Sequence, residues 1–192
     1  SRVLAQIVYY FYSGLKIMKN YGCSSVRFSV PTGNFGNIFA GYLSAKMGLP
    51  IKELILATNE NDILSRFFNH GDYTLREVLP TVSPSMDIQL ASNFERYLFL
   101  KFNQHESFRS FIEHGTCKVE KERGYDIDPI FKACKGTTEE TLNIIRKYYK
   151  NYNYVLDPHS ALGVLAAEKI KSNIPTICLA TAHPAKFSNT IN

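Results

Sequence analysis

From residue 2 to residue 19, Val3, Leu4, Ile7, Val8, Phe11, Leu15 and Met18 recur at the three-and-four spacing of an amphipathic helix, which Gly22 closes. An alternating apolar run (Val26, Phe28, Val30) then meets a Pro-Thr-Gly breaker, and a second helical segment runs from Ile38 to Met47 before Gly48 and Pro50. Glu53 to Thr58 (ELILAT) has the continuous apolar character of a buried strand, and Asn61 to His70 predicts a third helix ending near Gly71. Strand, helix, strand and helix at this spacing predict a βαβ unit and a parallel sheet, with ligands expected at the carboxyl ends of the strands. Tyr73 to Pro84 is turn-rich. Phe94, Leu98, Phe102, Phe108 and Phe111 predict helix from about Ser92 to Ile112. The polar stretch from Glu113 to Lys135 reads as a loop excursion, and Thr138 opens a helix running to about Lys150. Asp157-Pro158 is a good N-cap followed by proline at the first helical position. The helix it starts has Leu162, Leu165, Ala166 and Ile170 on one face, and Thr176 to Ala180 (TICLA) is a short buried strand ending at Thr181.

Composition changes this picture little. The 192 residues are 45% hydrophobic, which suits one ordinary α/β unit over residues 1–192 with a real core. A net charge of +5 comes mostly from lysines scattered through polar segments; no basic tract interleaved with stacking aromatics argues for a nucleic-acid partner. No apolar run approaches the ~18 residues that span a bilayer. Cys23, Cys117, Cys134 and Cys178 lie far apart, and the five histidines show no ligand spacing, so a zinc site is not expected. Reduced thiols in a cytoplasmic protein are the expectation.

The stretch with chemical promise is Val26 to Ala40, VRFSVPTGNFGNIFA. Strand, glycine loop and helix in that order point free backbone N–H groups and a helix N-terminus at an anion. Gly33 and Gly36 are expected at positive φ, where the missing Cβ lets a phosphate approach the main chain. Thr32, Asn34 and Asn37 add neutral side-chain donors. The spacing is neither GxxxxGK[ST] nor GxGxxG, and it fits an ordinary strand-to-helix turn as well.

PTGNFGN, followed in order by AGYLSAKMGLPI, ATNENDIL, SPSMDI, SNFER, DPHSALGV and LATAHPAKF, resembles threonine synthase, a pyridoxal-phosphate family of the tryptophan-synthase-β-like fold. Threonine synthase-like proteins share much of the pattern. The resemblance implies that Gly33, Asn34, Phe35, Gly36 and Asn37 hold the cofactor phosphate. It also implies that the Thr181 hydroxyl faces the pyridine nitrogen. A neutral hydroxyl there leaves a milder electron sink than a carboxylate, which suits elimination and replacement chemistry. The family's Schiff-base lysine lies in a Ser-Phe-Lys-Asp segment upstream of the part this chain resembles. Lys186, in the TAHPAK run, does not match it. The chain is therefore expected to be a C-terminal portion, without its N-terminal segment and with no catalytic lysine of its own.

Other polar residues carry two readings. Asn59, Asn61, Asp62, Asp87, Asn93, Glu95 and Arg96 suit ligand contacts, or helix caps and structural ion pairs. His159 and His183 read as structural, each beside a proline in a turn or helix start. The implied reaction turns O-phosphohomoserine and water into L-threonine and phosphate. The alternatives are a phospho-lyase releasing 2-oxobutyrate and a non-catalytic remnant that binds phosphate-bearing ligands.

Overall fold

A computed structural model describes residues 2–102, 105–120 and 126–191. In chain order the elements are α1 (Arg2–Tyr21), β1 (Val26–Pro31), α2 (Gly36–Lys46), β2 (Ile51–Thr58), α3 (Ile63–His70), β3 (Asp72–Tyr73), α4 (Phe94–Phe102), α5 (Glu106–His114), β4 (Cys117–Lys118), β5 (Phe131–Lys135), α6 (Thr138–Tyr152), α7 (Pro158–Lys169), β6 (Thr176–Cys178) and α8 (Ser188–Ile191). Four strands form a parallel sheet in the order β5-β2-β1-β6, and β3 pairs antiparallel with β4. The expected βαβ arrangement is present.

Helices cover both faces of the sheet, which is why its central strands are largely apolar. Leu54 and Leu56 of β2 face an aromatic-rich core shared with α1 to α4, whereas Ile55 and Ala57 face the side of α6 and α7. All six residues of β1 are buried, Arg27 and Ser29 included. Ser29 satisfies its hydroxyl on the Gly163 carbonyl at 2.5 Å. Gly163 carries α7 against the strand, since a Cβ there would stand 3.1 Å from the Pro31 ring.

Three expectations need correction. The helix expected over 92–112 is two helices, α4 and α5, with His105 capping the second by accepting from the Ser107 N–H; residues 103–104 lie outside the described residues. The polar excursion over 113–135 contains β4 and the edge strand β5, paired in parallel with β2; its residues 121–125 lie outside the described ones. Finally, α1 buries Val3, Ile7, Tyr10 and Gly14, and leaves Leu4, Val8 and Leu15 exposed. Close approach to α2 selects that face. A Cβ on Gly41 would come within 2.6 Å of the Tyr10 ring, so only glycine admits the tyrosine there.

Candidate functional site

Two neighbouring parallel strands bring the predicted residues together. β1 runs out at Pro31 into the glycine loop, and β6 pairs alongside it with Ser29 opposite Cys178. The chain stays in step beyond the strand, Leu179 N–H donating to the Ser29 carbonyl at 2.9 Å, so Thr181 emerges at the same carboxyl edge as the loop. An open cleft of about 480 Å³ lies there, lined by Gly33, Asn34, Gly36 and Asn37 on one side and Thr181 on the other.

The loop holds its shape by a device other than the one expected. Neither Gly33 nor Gly36 is among the residues at positive φ; the left-handed residue is Phe35, at φ 65° and ψ 0°. A non-glycine residue there costs about 1–2 kcal/mol. The Phe35 ring offsets it by inserting between Phe94, Tyr97, Phe131 and Phe68, with centroids 5.3 to 6.0 Å apart. Burial of such a ring contributes about 1.5–3 kcal/mol before any aromatic pairing. Phe35 is 1% exposed as a whole residue and does not line the cleft, so it shapes the loop from the core while Gly33, Asn34, Gly36 and Asn37 face the opening.

The glycines serve close packing. A Cβ on Gly33 would stand 2.7 Å from the Ser85 carbonyl oxygen, and one on Gly36 would meet the Asn34 and Asn93 amide groups at 3.1 and 3.2 Å. Asn34 closes the turn by accepting the Gly36 N–H at 2.9 Å, while Asn93 donates its backbone and side-chain N–H to the Asn34 carbonyl, both at 3.1 Å. The amides of Gly33, Asn34, Phe35, Asn37 and Ile38 have no acceptor among the described residues, the expected condition of a helix N-terminus. Thr32 is corrected as a donor to a ligand, since its hydroxyl donates to Val30 at 2.7 Å inside the sheet. Tyr10 fixes Asn37 from behind, donating to its carbonyl at 2.8 Å.

The other polar candidates separate. Asn93 and Arg96 line the cleft, joined by Arg2, Ser85, Ser92 and His159, and the lining contains no carboxylate and no lysine among the described residues. Asn59 and Asn61 both donate to Asp87 (2.7 and 3.1 Å), and Asp87 accepts from Thr81, so these residues brace the segment that carries Ser85. Asp62 pairs with Arg66 at 3.0 Å and Lys135 at 3.1 Å, a structural role. Glu95 and Lys186 lie outside the cleft lining. His183 accepts from the Ala185 N–H at 3.2 Å and caps a turn, as read from the sequence. His159 is buried and also touches the cleft, which the sequence reading missed; DPHS offered only its cap as a signal.

Four free cysteines are present, and no helix among the described residues is long and apolar enough to cross a membrane. The family described as "Threonine synthase, C-terminal" matches residues 160–192. Threonine synthase of Pseudomonas aeruginosa is 42% identical over the whole of this chain, which spans 42% of that protein. Human threonine synthase-like 1 is 35% identical over 99% of the chain and 27% of its own length. A solved structure of pyridoxal-phosphate-bound threonine synthase from Brucella melitensis superposes with a TM-score of 0.86 at 42% identity, over 99% of this chain and 42% of that one. The chain thus spans about two-fifths of the bacterial enzymes it matches.

Proposed function

We propose that this chain, which belongs to the threonine synthase family, forms the phosphate end and the ring-nitrogen end of a pyridoxal-phosphate site in an enzyme making L-threonine and phosphate from O-phosphohomoserine and water. One observation carries the reading: the glycine loop and Thr181, 148 residues apart in the numbering, flank a single cleft at the carboxyl edge of adjacent strands.

The residues fit the group. Unbonded amides of Gly33, Asn34 and Asn37, all lining the cleft at the start of an 11-residue helix, suit a phosphate dianion without a cationic partner. The Thr181 residue is exposed at the cleft and its backbone N–H is taken by Ser160 at 3.2 Å, which leaves its hydroxyl for a ring nitrogen. When bound, pyridoxal phosphate supplies the electron sink for carbanion chemistry at the substrate. The chain's own residues bind and orient. Asn34 and Asn93 hold the loop, Ser85 backs Gly33, and Arg2 and Arg96 give the cleft a positive field that suits a second, substrate phosphate. The amine that anchors the cofactor covalently and moves the proton belongs, on this reading, to the remaining part of a full-length, cytoplasmic enzyme.

A second reading is favoured by the likeness to threonine synthase-like 1: a phospho-lyase with the same cleft, releasing 2-oxobutyrate. Products formed by the full-length protein from O-phosphohomoserine decide. Threonine with stoichiometric phosphate supports the first reading and 2-oxobutyrate the second; phosphate release in neither form sinks both.

A further inference from the structure

Asp157, His159 and Ser160 open α7, and all three are at most 4% exposed. Asp157 accepts the N–H groups of His159 (2.9 Å) and Ser160 (3.3 Å), which is all that capping a helix requires. It does more. The same carboxylate meets His159 Nδ1 at 3.1 Å and accepts the Ser160 hydroxyl. Each of those side chains then reaches one wall of the cleft. His159 Nε2 accepts the N–H of Ser85 at 3.3 Å, the residue whose carbonyl lies against Gly33. Ser160 Oγ accepts the N–H of Thr181 at 3.2 Å.

The proton positions follow from the donors. A backbone N–H can only donate, so Nε2 of His159 is the bare nitrogen and Nδ1 carries the hydrogen, pointed at Asp157. The Ser160 hydroxyl accepts from Thr181 while its own proton goes to the other carboxylate oxygen. Both polarities are set by one group that accepts and never donates. Burial pushes the Asp157 carboxyl up, but the hydrogen bonds from the His159 and Ser160 side chains and amides outweigh it and hold the group ionised below the usual range.

We propose that Asp157 is the positioning residue for both ends of the cleft, holding the Thr181 strand end through Ser160 and the Ser85 backing of the glycine loop through His159. The inference deepens the cofactor reading of Thr181 and rests on it. Asp157→Asn separates this role from capping, because asparagine caps a helix about as well as aspartate. It cannot accept from His159 and Ser160 together without placing an NH₂ donor against one of them.

The test uses the full-length protein, with hydrogen exchange at Ser85 and Thr181 and the absorbance of bound pyridoxal phosphate as readouts. Ser160→Ala is expected to speed exchange at Thr181 about five- to tenfold, the worth of one hydrogen bond. It should also shift the cofactor absorbance and leave inorganic phosphate affinity of the cofactor-free protein unchanged. His159→Leu is expected to speed exchange at Ser85 and weaken phosphate binding, with His159→Gln, which retains an acceptor, restoring both. Asp157→Asn is expected to do the work of both lesions while its unfolding midpoint falls less than that of Asp157→Ala, which loses the cap as well. Parent-like exchange at both sites in Asp157→Asn overturns the proposal. So does faster exchange with an unmoved cofactor spectrum and phosphate affinity, since Asp157 would then be a structural cap alone. Failure of the parent full-length protein to bind pyridoxal phosphate overturns the cofactor reading instead, and exchange still decides whether Asp157 holds the two walls.

Discussion

The two sides of the cleft are built in opposite ways. On the glycine-loop side, Phe35 drives a ring into the aromatic core, Asn34 and Asn93 clamp the turn, and the Ser85 carbonyl fills the space beside Gly33. On the other side Thr181 stands exposed past the end of a three-residue strand, with one hydrogen bond from its N–H to Ser160 and none from its hydroxyl among the described residues. An anion seat needs several amides aimed at one point, and only a rigid frame keeps them there. A single hydroxyl needs placement but little packing. Substitutions should therefore cost stability on the first side and chemistry on the second.

The largest expected effect is at Phe35. Phe35→Ala removes the core anchor yet leaves the strained φ, and should lower the unfolding free energy by about 3–5 kcal/mol in a denaturant titration. A loss under ~1 kcal/mol would show that the loop does not depend on its ring. Gly33→Ala comes next. The added methyl must displace the Ser85 backbone, at about 1–3 kcal/mol, with inorganic phosphate affinity of the full-length protein falling in parallel. Gly36→Val should weaken that affinity as well, because the new side chain pushes on the Asn34 and Asn93 amides; positive φ is not the reason.

Acid should act on both sides together, through Asp157. The Asp157 carboxyl is held below its ordinary value of ~3.9, so the native chain binds fewer protons there than the unfolded one. Its contribution is fully present above pH ~4 and is lost as pH falls through the depressed native value. Asp157→Asn should flatten the stability profile in that acidic window, with the carboxylate's contribution missing at neutrality and no new slope there. Thr181→Val sits at the small end: within about 0.5 kcal/mol of the parent in stability, as an exposed position. Its bound-cofactor absorbance and turnover should nonetheless change. A valine variant that matches the parent in both would remove Thr181 from the site.

Much of this arrangement could be read along the chain. Gly22, the Asp157-Pro158 cap and the ELILAT run mark their elements because each signal is local: a left-handed C-cap, a side-chain acceptor before a proline, an apolar strand between turns. The loop's place between β1 and α2 was legible for the same reason. Its internal geometry was not. PTGNFGN suggests that glycine takes the left-handed position, but Phe35 does, because residues 33 to 96 positions further along supply the rings that hold it. The polar residues of TNEND and SPSMD look alike in sequence as ligand contacts, yet they bond one another through Asp87.

Order along the chain and local hydrogen-bonding chemistry determined the parallel α/β framework and the place of the glycine loop between β1 and α2, whereas the strand expected to be buried and to reach Thr181 is half-buried and stops at Cys178. Tertiary contact alone decided which face of α1 is buried, since that turned on Tyr10 finding the bare backbone of Gly41. It also decided that His159 faces the cleft and that Asp157 joins the two walls. Those outcomes depend on groups tens of residues apart meeting within about 3 Å, a length over which pattern along the chain carries no information.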